Sequence, residues 1–316
     1  MGKVVGAFGT SHAFTFMEPD KWDTYRAKNR ESLKRRRNIE PPEQPGVGVE
    51  TLADNSRRFE RLRAAHADTR RLLAQSKPDA LVLIGDDQHE VFSASTMPQI
   101  AVYVGGDFRL STRFAQSRSI FRSHNPLAKA IRDAGREDGF EIAPLTNFEN
   151  DELGSHAHAQ VLEAFTPAAT IPTVLVFLNA IQQPAIEPAQ CYTFGATVTR
   201  AIAACTEAER VVIGASGGWS HFTAGYPWDN YRGPFSYGAI SEEFDRKVAK
   251  LVLEGRGDQI AALSSDELLA NGDIELRAWI ALLGAVGAAK PNMLVYEPFY
   301  RAVMGMAAGT WTLEAA

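Results

Sequence analysis

Short continuous apolar runs alternate with longer stretches of helical spacing along this chain. The runs are Val4-Val5-Gly6-Ala7-Phe8, Ala80-Leu81-Val82-Leu83-Ile84, residues 99–104, residues 173–178, Val211-Val212-Ile213-Gly214-Ala215 and Met293-Leu294-Val295-Tyr296. Runs this short, bounded by Gly, Pro and Asn, predict buried strands. Gly139-Phe140-Glu141-Ile142 predicts a further strand at a sheet edge. Between the runs, Phe59, Leu62, Ala65, Leu72 and Leu73 keep helical spacing and predict a helix over 55–75, closed by Pro78. The same reasoning predicts helices over 126–134, 188–207, 241–253, 259–263 and 274–284. The polar stretch 18–46 reads as a solvated helix face followed by an irregular loop, and 147–160 and 222–237 read as loops. No repeat, low-complexity tract or linker interrupts the pattern. The expectation is one α/β domain over residues 1–316, with a central mixed, mostly parallel sheet flanked by helices.

Composition narrows the class without naming it. Of the 316 residues, 45% are hydrophobic and 22% charged, as in ordinary globular proteins. A net charge of −5 offers no bulk attraction to nucleic acid or anionic membranes. The basic run Lys34-Arg35-Arg36-Arg37 lies within an acidic balance and reads as a solvated helix face. No apolar run is long enough to span a bilayer, and no secretory pattern opens the chain. Cys191 and Cys205 sit in a segment read as helix, so neither a disulfide nor a thiolate metal site is expected, and a cytoplasmic setting is.

Candidate chemistry lies where strands end. The first run stops at Gly9-Thr10-Ser11-His12, the second at Gly85-Asp86-Asp87-Gln88-His89-Glu90, and the Val211 run at Ser216-Gly217-Gly218-Trp219-Ser220-His221. In an open α/β sheet ligands bind in the crevice beyond the strand ends. Histidines repeated there suggest a metal site. Two histidines and one carboxylate suit iron(II), and the same donors suit zinc. His12 and one residue of the Gln88-His89 pair can supply two of these. Glu275, near the start of an apolar helix, is the best carboxylate, because facing a core unpaired would be costly.

Together these motifs, with Met97-Pro98, Glu275-Leu276-Arg277-Ala278-Trp279 and Ser241-Glu242-Glu243-Phe244-Asp245-Arg246, resemble the class III extradiol ring-cleavage dioxygenases. The similarity is to relatives of the protocatechuate 4,5-dioxygenase catalytic subunit, in the gallate and 3-O-methylgallate branch, from Lys3 to about Tyr300. The resemblance implies that Fe(II) is bound by His12 and Glu275, that His221 is the acid/base, and that a catecholic or gallate-like compound is opened with O2. His221 would take a proton from the substrate hydroxyl and later return it. An ungapped match puts the family's other histidine ligand on Gln88. A one-residue bulge would bring in His89, and imidazole is the better iron ligand, so His89 is the expected third ligand and Gln88 a substrate neighbour. Leu153 replaces a family histidine, and Ala180-Ile181-Gln182-Gln183-Pro184 replaces a proline-rich run. His156 or His158 is expected to take over at the substrate, with Trp219 alongside.

Plainer roles are expected elsewhere. His66 and His124 read as structural. Asp86 and Asp87 read as turn residues bonding to backbone, or as partners of a ligand histidine. Trp219, Tyr226, Trp228 and Tyr231 form either a packed cluster or a pocket wall. A zinc hydrolase on the same donors, or a non-catalytic binding member of the fold, is the alternative function. The resemblance leaves room for a homodimer or a small partner subunit.

Overall fold

The structure is a computed structural model describing residues 1–38, 40–110, 119–148, 154–223, 225, 227–228 and 231–313. Its strands are β1 (Lys3–Thr10), β2 (Ala80–Asp86), β3 (Ile100–Tyr103), β4 (Phe108–Leu110), β5 (Ser119–Phe121), β6 (Ile142–Leu145), β7 (Thr173–Leu178), β8 (Arg210–Ser216), β9 (Met293–Phe299) and β10 (Met304–Thr312). Its helices are α1 (Pro19–Arg37), α2 (Pro45–Val49), α3 (Leu52–Ser76), α4 (Asn125–Glu137), α5 (His156–Phe165), α6 (Pro188–Ala204), α7 (Glu242–Glu254), α8 (Gly257–Ala261), α9 (Ser265–Asn271) and α10 (Leu276–Val286).

The main sheet has the order β6-β3-β7-β2-β8-β1-β10-β9, and β4 pairs separately with β5. Strands β7, β2, β8 and β1 run parallel through its centre. On one flank β10 lies antiparallel to β1, with β9 antiparallel outside it. On the other, β3 is antiparallel to β7 and parallel to β6. This is the expected single α/β domain.

Burial on both faces explains the continuous apolar runs. Along β2, Val82 and Ile84 enter a core shared with Ile131 of α4, Phe194 of α6 and Ile280 of α10. Leu81 and Leu83 enter the opposite core, with Leu72 of α3 and Leu162 of α5. Each such side chain contributes about 1.5–3 kcal/mol by leaving water. Helices α1 and α3 close over β9 and β10 through Trp22, Phe59, Leu62, Phe299 and Met306.

Several elements differ from the pattern reading: α2, β4 and β5 are absent from it, β6 lies at Ile142–Leu145 and not at 139–142, and α5, α9 and β10 differ for reasons that can be named. The stretch 147–160, which reads as loop, contains the start of α5, a helix buried on nearly every side from Ala157 to Leu162, so no amphipathic period marks it. Helix α9 follows a capping box in which Ser264 and Glu267 satisfy each other's backbone N–H groups. Strand β10 is the largest omission: its Gly305, Ala307, Ala308 and Gly309 carry little strand propensity, yet it is fixed between β1 and β9. Among the described residues no helix is long and apolar enough to cross a membrane.

Candidate active site

Strands β2, β8 and β1 are neighbours and parallel, so their carboxyl ends open into one crevice. Asp86 is the last residue of β2, Ser216 the last of β8, and His12 lies two residues beyond β1. Glu275 joins them from the residue preceding α10. A Cβ on Gly217 would collide with the Glu275 carbonyl oxygen, so glycine is what lets the two loops meet. The Gly218 N–H then donates to Glu275 Oε2 at 2.6 Å. The Trp279 indole N–H donates to the Gly217 carbonyl at 3.0 Å. Arg277, fully buried, donates to the carbonyls of Ile186 (2.6 Å) and Ile274 (2.9 Å) and to Ser265 Oγ (2.8 Å). Spacing in Glu275-Leu276-Arg277-Ala278-Trp279 thus anchors the helix start while one carboxylate enters the crevice.

Hydrogen bonding fixes the His12 tautomer. Ser216 gives its hydroxyl proton to the Ala157 carbonyl at 2.6 Å, so at 3.1 Å from His12 Nδ1 it can only accept. Nδ1 therefore carries the proton, and the Nε2 lone pair faces Glu275 Oε2 at 3.5 Å. Burial pushes the His12 imidazole down to about 4, against the pull of the Glu275 charge, which keeps it neutral. Burial alone would raise the Glu275 carboxyl; His12, His221 and the Gly218 amide reverse this and hold it well below the usual carboxylate range. Asp86 completes the group: donor atoms of His12, Asp86 and Glu275 lie within 4.8 Å of one another. Both Asp86 oxygens are buried without a hydrogen-bond partner. Burial, with Glu275 beside it, pushes its carboxyl well above the ordinary value. An imidazole lone pair and two buried carboxylates converging, one of them with no hydrogen-bond partner, suit a divalent cation.

His221 is placed by both of its nitrogens. Nδ1 lies 2.8 Å from the Trp219 carbonyl, to which it donates, and Nε2 lies 3.3 Å from Glu275 Oε1. Burial would lower its pKa, but the Glu275 charge prevails and raises it. The preceding Ser220 is clamped by Asp245, which accepts from Ser220 Oγ at 2.7 Å and from the Tyr296 hydroxyl. The His221 N–H also donates to the Gly272 carbonyl at 3.1 Å, tying the two loops of the site together.

Several expected residues fall elsewhere. His89, expected as third ligand, is exposed at φ 60° and outside the converging group, because no bulge turns it inward. Gln88 instead faces the site and donates to Glu275 Oε1 at 2.7 Å. His158 is a core residue: Nε2 bonds the Val176 carbonyl at 2.9 Å, and its ring lies 4.4 Å from that of Phe177. Trp219 is fully buried against Trp279 and Tyr296, a packed aromatic and not a pocket wall. His156 does reach the site, edge-to-face with His12 at 4.7 Å between ring centres. Glu90 accepts from its Nδ1 at 2.7 Å and from its backbone N–H at 2.9 Å. Burial would lower the His156 pKa, but Glu90 reverses this and brings it up to about 9. Asp87 does hold its turn, accepting from the amides of Glu90, Val91 and Phe92. Leu153 and Tyr226 lie outside the described residues.

From the sequence alone, Glu90, Ser216 and Asp245 have no expected role at the site, and Asp86 only that of a turn residue or a partner of a ligand histidine. A two-residue period marks Asp86, since it follows Val82 and Ile84 on one side of β2. Ser216, closing the third strand run, carried the same positional mark as His12.

A family model described as the catalytic LigB subunit of aromatic ring-opening dioxygenase matches residues 44–309. The chain belongs to this LigB family. It is a ring-cleaving dioxygenase of the class III extradiol type. This LigB-family chain is 23% identical over 286 residues to a 2,3-dihydroxyphenylpropionate/2,3-dihydroxicinnamic acid 1,2-dioxygenase of a Rhodococcus species, covering 78% of this chain and 88% of that one. A protein of the same description from Klebsiella pneumoniae is 24% identical over 265 residues, 70% of this chain and 81% of the relative. In fold, it resembles a crystal structure of an uncharacterized protein from Escherichia coli K12, with a TM-score of 0.51 at 11% identity, over 97% of this chain and 99% of the other.

Proposed function

We propose that this LigB-family enzyme is an Fe(II)-dependent extradiol dioxygenase that opens a catecholic or gallate-like ring beside its two hydroxyls. The observation that carries the proposal is the His12 Nε2 lone pair held 3.5 Å from a buried Glu275 carboxylate oxygen at the strand ends. These two residues would hold the ion. When bound, ferrous iron supplies adjacent open positions for the substrate oxygens and for O2, and a path for electron density from ring to O2.

The protein's own groups do the rest. Gln88 and the Gly218 amide orient the Glu275 carboxylate. His221, with Nδ1 committed to the Trp219 carbonyl, accepts the substrate hydroxyl proton at Nε2 and returns it during ring opening. A buried apolar cluster of Ala180, Ile181, Phe222, Trp228 and Ile274 would give an aromatic ring apolar surroundings. The Trp228 ring centre is 6.3 Å from that of His221. The names of the two relatives favour a catechol bearing a side chain as one substrate class to try first. Anaerobic reconstitution with Fe(II), then oxygen uptake on catechols and gallates, tests the proposal. Uptake with a yellow ring-opened product is expected; no uptake on any member of the panel overturns it.

A further inference from the structure

We propose that Asp86 supplies the third protein ligand, so that the centre holds its divalent ion with one imidazole and two carboxylates and is biased towards hard, oxygen-seeking ions such as manganese(II). The inference rests on the metal-dependent function proposed above and goes beyond it in the ligand set and the ion preferred.

Four observations converge on Asp86. Its carboxylate, with His12 and Glu275, forms a group whose donor atoms all lie within 4.8 Å of one another. It is 2% exposed, yet neither oxygen meets a donor; buried polar groups are otherwise nearly always satisfied. The two residues from which the sequence leads one to expect the third ligand are accounted for: His89 is exposed, and the Gln88 amide is engaged with Glu275. Finally, Ser155 Oγ donates to the Asp86 carbonyl at 2.6 Å, fixing the backbone that aims the carboxylate. Glu275 and Asp86 come from different elements, one from the residue preceding α10 and one from the end of β2.

The consequence is chemical. Imidazole favours zinc, copper and iron, whereas carboxylate, carbonyl and water donors suit magnesium, calcium and manganese. Exchanging one imidazole for a carboxylate makes the protein donor set mostly oxygen, and two carboxylates neutralise a divalent ion. The general order still puts zinc above manganese in raw affinity, so the inference concerns the gap between them.

Calorimetric titration of the metal-free full chain with Mn(II) and with Zn(II) tests this, alongside Asp86→Asn, Asp86→His and His89→Ala. Asp86→Asn is expected to weaken Mn(II) binding by more than the roughly 10–100-fold that loss of an outer-shell partner costs. His89→Ala is expected to bind as the parent does. Asp86→His is expected to widen the Zn(II) preference over Mn(II) at least ~10-fold, by restoring an imidazole. Thermal unfolding without metal guards against misfolding: Asp86→Asn loses no hydrogen bond and should unfold no earlier than the parent. Unchanged Mn(II) affinity in Asp86→Asn, lost affinity in His89→Ala, or an unchanged preference in Asp86→His would each overturn the inference. The dioxygenase proposal fails separately, by absent oxygen uptake in an iron-loaded parent.

Discussion

The Gln88 side-chain amide donates to Glu275 Oε1 at 2.7 Å, while Gly218 donates to the other oxygen of the same carboxylate. Both lone-pair systems of Glu275 are therefore oriented from the protein side. Removing the Gln88 donor by Gln88→Ala leaves the carboxylate held by the Gly218 amide without this second donor. Divalent-metal affinity is expected to fall about 10–100-fold, as for other outer-shell partners, with little change in unfolding temperature. Calorimetry on the metal-free protein measures the first, and a thermal melt the second.

Ser216 decides which nitrogen of His12 carries the proton. In Ser216→Ala the Ala157 carbonyl is left with its helix bond alone, and the buried His12 Nδ1–H loses its acceptor. Leaving that N–H unsatisfied costs about 1–3 kcal/mol. The variant should therefore unfold earlier in urea. Its metal affinity should also drop, because the Nε2 lone pair is no longer enforced. Ser216→Thr, which keeps the hydroxyl, should retain more of both.

Much of this arrangement is legible from sequence. Strands β1, β2, β7 and β8 are continuous apolar runs because both faces are covered, and their ends point to His12 and His221. Glu275 is legible because a carboxylate opening an apolar helix needs a partner. Other parts depend on contacts made across the chain. Strand β10 is built of small residues and is a strand because β1 and β9 pair with it; Ser11 is even bonded to Ala307 in both directions, at 2.8 and 2.9 Å. His156 stands at the start of a helix hidden in a polar stretch, and its partner Glu90 is 66 residues away. Ligand chemistry favours His89 over Gln88, yet in the structure His89 is exposed and it is the Gln88 amide that meets Glu275. Side-chain direction beyond a strand end is set by the local backbone and not by which atom binds a metal better.

His66 is buried between Phe16 and Phe165, and its Nε2 has no partner. Burial, helped by Arg70, pushes its pKa from 6.5 down to about 4. Between these two values the unfolded chain binds the proton and the folded chain does not. Stability from this group is therefore intact above about pH 6.5 and falls as the pH drops towards 4. The loss is on the order of 3 kcal/mol at the bottom of that window. His66→Phe, of similar shape and without a titrating group, should flatten this limb of the stability–pH curve. Urea unfolding at half-unit steps from pH 7 to 4 would measure it; an unchanged acid limb would show that the loss arises elsewhere.

Arg277 makes the last case, because it separates anchoring from chemistry. Its guanidinium reaches no solvent and uses three donors on two carbonyls and a serine hydroxyl, two residues beyond the Glu275 carboxylate. Burial lowers its pKa, so the surroundings give the charge little back beyond these bonds. Lysine would present a compact ammonium where the planar fork meets three separated acceptors, so Arg277→Lys is not conservative here. Arg277→Lys is expected to lose about 2–4 kcal/mol in urea unfolding, and Arg277→Met more, since it leaves those acceptors without donors. Because the same residue fixes the start of α10, metal affinity measured on the folded fraction should fall as well. If stability drops while affinity holds, the position of Glu275 is set by the Gly217–Gly218 loop alone, and the helix anchor is only structural.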